Sequence, residues 1–129
     1  MTYPSPKRLR RSLLFVPGNR SDRFAKAVVS GADIVCLDLE DSVQTSDKAS
    51  ARAMVVEYLA SNRPQCETAV RVNSARTLVG VRDLLALVDA RICPDLIVVP
   101  KTESAVELDW ISGLLGESGL SPGLLPFVE

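Results

Sequence analysis

Histidine is absent from this chain of 129 residues. That absence excludes Ser-His-Asp and Cys-His catalysis and any metal site built on imidazole. Acid–base chemistry must fall to Asp, Glu, Lys or water. A metal here would be a hard cation held by oxygen, Mg2+ or Mn2+. Cysteine is scarce: Cys36, Cys66 and Cys93 form no CxxC pair and suit neither zinc nor dithiol redox chemistry. Excess positive charge is lacking too. A formal net charge of -1 argues against a nucleic-acid surface, which needs clustered Lys and Arg. No apolar run nears the roughly 18–20 residues of a membrane span. Residues 13–16 are too short for the core of a signal peptide. The expectation is a cytoplasmic protein with no membrane or nucleic-acid partner.

What is present is a globular composition, 47% hydrophobic and 24% charged, enough for one domain with a real core. Residues 1–10 read as a flexible arm, with Pro4 and Pro6. Lys7, Arg8, Arg10 and Arg11 form its basic, solvated cluster. Five strand-like runs follow, at 12–17, 33–39, 67–73, 95–100 and 123–129. Such short apolar runs fit strands buried on both faces of a parallel sheet. Their spacing of roughly 20–35 residues suits successive βα units.

Each run ends in polar residues. They are Asn19 after the first; Asp38, Glu40 and Asp41; Arg71 and Asn73; Lys101; and Glu129. In a parallel sheet or barrel these ends share one face, where ligands bind. Strand alternation puts Asp38 with Glu40, Arg71 with Asn73, and Lys101 with Val99. Two acids at one strand tip are costly to bury without a partner or a cation. The intervening segments read as helices: one from Ser21 or Asp22 to Ser30, and one from Ser46 or Asp47 to Ser61. A third carries a stripe of Leu78, Val81, Leu84, Leu85 and Val88, and a fourth is capped by Ser104 with Trp110 packed in the core. The last strand has no covering helix, and a (β/α)8 barrel needs roughly 200–250 residues. Residues 11–129 are therefore expected to form the N-terminal part of a TIM barrel, truncated after about four βα units and a fifth strand.

The residues alone leave several chemistries open. Arg71 either grips a carboxylate or pairs with Asp38 or Glu40. Lys101 either forms a Schiff base with a carbonyl, as in metal-independent aldolases, or has a structural role. A Mg2+-binding module of the flavodoxin-like receiver type has a similar length and acidic cluster.

The motifs narrow this. Arg11-Ser-Leu-Leu-Phe-Val-Pro-Gly18, Gly31-Ala-Asp33, Asp38-Leu-Glu-Asp-Ser-Val43, Lys48 and Ala51-Arg52 come in that order. Arg71-Val-Asn73, Asp83-Leu84 and Val99-Pro-Lys-Thr-Glu-Ser104 follow. Together they resemble the citrate lyase β-subunit (CitE-like) family of the HpcH/HpaI aldolase superfamily. The resemblance implies a TIM barrel that uses Mg2+ as cofactor to cleave or form C–C bonds in CoA thioesters such as citryl-, malyl- or citramalyl-CoA. It implies that Arg71 binds substrate oxygens, with Asn73 and Lys101 beside it. It implies too that Glu40 and Asp41 stand close to the metal and its waters in the catalytic site, and that Glu129 is a metal ligand. The family's second metal ligand, an Asp after strand six, has no counterpart in this sequence. The resemblance further implies an acyl-CoA or 2-oxo acid partner and a homo-oligomer, a trimer in the family.

Overall fold

A computed structural model describes residues 8–129. Lys7, Pro4 and Pro6 of the expected arm lie outside the described residues. Five strands, β1 (Leu13–Pro17), β2 (Ile34–Asp38), β3 (Glu67–Arg71), β4 (Leu96–Val99) and β5 (Gly123–Pro126), form one sheet. Every pairing is parallel, and the strands lie in sequence order. Four helices connect them: α1 (Phe24–Val28), α2 (Lys48–Ser61), α3 (Leu78–Asp89) and α4 (Ala105–Glu117).

The two faces of the sheet differ. Val35, Leu37, Val70, Val72 and Ile97 point into a core shared with Phe24, Val55, Leu84, Leu87 and Ile111 of the helices. The opposite face carries Ile34, Cys36, Ala69, Leu96 and Val98, flanked by Leu13, Leu125 and Phe127, and among the described residues no helix residue joins it. Sequential parallel order with helices on one face is the opening part of a (β/α)8 barrel. A flavodoxin-like sheet reverses its strand order and is covered on both faces, so the receiver reading falls.

Several expectations need correction. The first helix is short because Ser21–Arg23 form a 3-10 turn before α1. β5 ends at Pro126, not at residue 129, although Phe127 still donates to the Val99 carbonyl at 2.8 Å. Trp110 is not core: it is 47% exposed, and Ile111 and Leu115 supply the buried stripe of α4. On α3 the buried residues are Gly80, Asp83, Leu84 and Leu87, while Leu78 and Leu85 are exposed. The described part of the basic cluster is not a free arm. Arg10 grips buried Glu67 through two 2.9 Å bonds, and Arg11 forks onto Asp33. These pairs tie the chain to the N-terminal ends of β2 and β3. Arg11 holds the Asp33 carboxyl down to about 2.

The thiols give a test of this packing. Burial, with Asp38 adding to it, pushes the Cys36 thiol up to about 12, whereas Cys93 is exposed. At pH 8 a disulfide reagent is expected to label Cys93 in the native protein and Cys36 only after denaturant is added. Rapid native labelling of Cys36, followed by peptide mass mapping, would contradict the buried inner face.

Candidate functional site

The site grows from the tip of β2. Asp38 is wholly buried, and its carboxylate folds back over its own turn. It accepts from the Glu40 amide at 2.9 Å, the Ser42 amide at 3.1 Å and the Ser42 hydroxyl at 2.5 Å. This local bonding is what turns the acidic segment sharply out of the strand. Strand register sets Asp38 beside Arg71. Arg71 donates from Nε and Nη2 at 2.7 and 2.6 Å, a bidentate pair. Burial acts to raise the Asp38 carboxyl, but the bonds from Arg71, Ser42 and Glu40 outweigh it and hold it below the carboxylate range. The Phe15 ring lies under the guanidinium, 4.5 Å from ring centre to Cζ, and Phe127 meets that ring edge-on. The guanidinium plane is thereby fixed, with Nε and Nη2 engaged by Asp38.

Glu40 is the unusual member. It is buried, and among the described residues neither carboxylate oxygen has a hydrogen-bond partner. Arg71 Nε stands 3.6 Å from Oε1, and Lys101 Nζ stands 3.2 Å from Oε2. These are ion-pair distances without hydrogen-bond alignment. A buried carboxylate left so is expensive unless a further cation or ordered water completes it. Lys101 reaches Glu40 through backbone geometry that alternation does not foresee. Its φ is 52°, in the left-handed region, so it leaves the face of Val99, which is buried against the helices. Glu40 above all, with Asp41 and Glu129, raises the Lys101 ammonium above its ordinary value.

Asp41 is exposed and lines a cavity of about 430 Å³ with Glu40, Lys48, Asn73 and Lys101. Asn73 is buried, and its amide nitrogen donates to the Leu39 carbonyl at 2.8 Å and to Asp83 at 2.7 Å. Its donors are thus engaged within the fold rather than aimed at the cavity. Glu129 is exposed past β5, within electrostatic reach of Lys101. Among the described residues no three His, Cys, Asp or Glu side chains converge as a complete metal cage. Mg2+ does not need one. It keeps several waters and takes one or two carboxylates plus substrate oxygens. The open oxygens of Glu40, with Asp41 and Glu129, have the right donor chemistry.

Residue patterns alone missed Asp83, Arg52, Ser42 and Phe15 as contributors. Asp83 is a buried acid inside an apolar helical run, which is the signal that marks it.

Fold and rim together define the class: a (β/α)8-type domain whose polar site gathers at the C-terminal ends of its strands. A family model described as HpcH/HpaI aldolase/citrate lyase matches residues 11–118, and the chain belongs to that family. It is 35% identical over 127 residues to mitochondrial citramalyl-CoA lyase of Homo sapiens, covering 93% of this chain and 37% of that protein. It is 39% identical over 132 residues to citrate lyase subunit beta of Escherichia coli K12, covering 95% and 42%. A solved citrate lyase beta subunit from M. tuberculosis, complexed with oxaloacetate and magnesium, superimposes with a TM-score of 0.74 at 33% identity. That match covers 93% of this chain and 49% of the other. The chain thus spans less than half the length of these relatives.

Proposed function

We propose that this chain carries the first part of the active site of a Mg2+-dependent carbon–carbon lyase. The reaction cleaves a 3-hydroxyacyl-CoA to acetyl-CoA and a 2-oxo acid. The observation that carries the reading is a guanidinium pinned in plane by Asp38 beside the unsatisfied carboxylate of Glu40. In the cleavage a base takes the hydroxyl proton, the C–C bond breaks, and charge collects on the thioester enolate. Arg71 grips the carboxylate that becomes the 2-oxo acid, with the fork geometry such an anion suits. Glu40 and Asp41 would order the metal's waters, Glu129 would ligate it, and Lys101 would hold Glu40 and the substrate oxygens. Mg2+, when bound, supplies Lewis-acid polarisation of the substrate oxygens. A cytoplasmic, homo-oligomeric protein belongs to the same reading; the mitochondrial relative shows that another compartment is used in the family. Among the described residues no helix is long and apolar enough to cross a membrane.

Titration calorimetry tests this. Mg2+ alone is expected to bind more weakly than roughly 0.1 mM, since so few carboxylates are offered. Added pyruvate or oxaloacetate should tighten it. Low-micromolar binding of Mg2+ alone, or no response to either 2-oxo acid, would count against the reading.

The Schiff-base alternative needs a neutral Lys101. Glu40 favours its charged form instead. Borohydride with pyruvate is expected to leave the mass unchanged, and a stable adduct on Lys101 would revive that mechanism.

A further inference from the structure

Behind the rim lies a second polar cluster, between α2 and α3, that the proposed chemistry does not use. Its centre is Asp83 on α3, 1% exposed. Its Oδ1 accepts from Arg52 Nε of α2 at 2.8 Å. Its Oδ2 accepts from the Asn73 backbone amide at 2.9 Å and from Asn73 Nδ2 at 2.7 Å. Asn73 in turn donates to the Leu39 carbonyl, the residue between Asp38 and Glu40. Lys48 of α2 donates to the same carbonyl at 3.0 Å and to the Glu40 carbonyl at 2.8 Å.

We infer that Asp83 is a positioning residue for the acidic turn: through Asn73 it fixes the backbone that presents Glu40. The physical reason is on both sides of the turn. Among the described residues the Glu40 side chain is held by ion pairs from Arg71 and Lys101 and by no aligned hydrogen bond, so its backbone takes a large share in deciding where its oxygens stand. That backbone is tied at the Leu39 and Glu40 carbonyls and at the Glu40 amide, and Asn73, which makes one of those ties, is itself held by Asp83. Arg52 is 17% exposed in its side chain and places its guanidinium against the buried Asp83 side chain, so the acid is paired within the fold. Groups that orient a ligand from behind commonly change metal affinity 10- to 100-fold when removed.

The inference rests on the proposed metal-binding role of Glu40, so the experiment separates the two. Mn2+ replaces Mg2+ as the probe, and its free fraction is read by electron paramagnetic resonance with pyruvate present. The wild type is compared with Asp83→Asn, and with Ile111→Ala, which loosens the core on α4 without touching the cluster. Urea unfolding of all three gives their stabilities. Amide exchange at Glu40 and Ser42 reports the turn directly.

The expected result is Mn2+ affinity at least tenfold weaker in Asp83→Asn, with faster exchange at those two amides. Ile111→Ala should bind like the wild type despite its lower stability. If Asp83→Asn binds as the wild type does, the positioning role is wrong while the metal site stands. If Ile111→Ala loses as much affinity, general loosening explains the effect and the role is overturned. If the wild type binds no Mn2+, the proposed function fails and takes this inference with it. Should Asp83→Asn fail to fold, Asn73→Ser keeps the test: it removes the donor to Leu39, and unchanged affinity would again overturn the role.

Discussion

Arg71→Ala is expected to remove 2-oxo acid binding by this chain and to destabilise it at once. Two effects add. On the proposed reading, a substrate carboxylate would lose its planar fork. Where the segment is completed to a whole barrel, turnover should fall by about 10²–10³, the scale for losing one preorganised donor. The second effect is internal. Asp38 is wholly buried and loses both bonds from the guanidinium, keeping only those from its own turn. Breaking a buried pair by removing one partner costs about 3–5 kcal/mol, and the surviving bonds put this case at the low end. Urea denaturation at pH 7 measures the loss.

The sign of the pH dependence follows from Asp38. Its native carboxyl is held below the unfolded value. Its contribution is present above about pH 3.9 and is lost as pH falls through the lowered native value. Without Arg71 the native carboxyl rises, so the acid limb of unfolding should move to higher pH. Arg71→Lys keeps the charge but not the fork. It should recover part of the stability and little of the ligand binding. Normal 2-oxo acid affinity in Arg71→Ala would end the proposed role of this residue, whatever its stability.

Strand positions and their order were legible in the sequence because short apolar runs ending in polar residues have few other solutions in a globular domain. The meeting of Asp38, Glu40 and Arg71 also followed from alternation and parallel register. What alternation did not give lies beyond the strand ends. Lys101 takes a left-handed backbone, so its side chain goes to Glu40 and not to the face of Val99. Asn73 spends its donors on Leu39 and Asp83, because a buried acid on a later helix claims them. Trp110 and Leu85 lie on outer helix faces, where helical period alone does not say which way the stripe is turned. Each gap has the same origin. Local pattern assigns a residue to an element, and long-range polar pairing then decides where its side chain is used.

Gly80→Ala is the second large expectation, and its sign runs against helix propensity. Alanine is favoured over glycine inside a helix by about 1 kcal/mol, and Gly80 sits in the first turn of α3. Its φ is not in the left-handed region, so backbone freedom is not the reason for glycine here. Space is. A Cβ at this position would strike the Ser74 carbonyl oxygen and lie 2.5 Å from that of Asn73. Both are backbone atoms, which cannot rotate aside as a side chain can. Either α3 shifts, breaking the 3.1 Å bond from the Gly80 amide to the Thr77 hydroxyl, or the loop at Asn73 retreats. Such overpacking costs about 1–3 kcal/mol or more, so the net change should be destabilising. Gly113→Ala on α4 is the control, since a Cβ there meets nothing within 4 Å. It should stabilise by up to about 1 kcal/mol. Urea midpoints moving in opposite directions would establish the close approach. The same clash lies beside the residue that ties the acidic turn to α3, so Gly80→Ala should also weaken Mn2+ binding, whereas Gly113→Ala should not. If both glycines respond alike, the tight seat of α3 against the Asn73 loop is wrong, and the route from Asp83 to Glu40 loses its foundation.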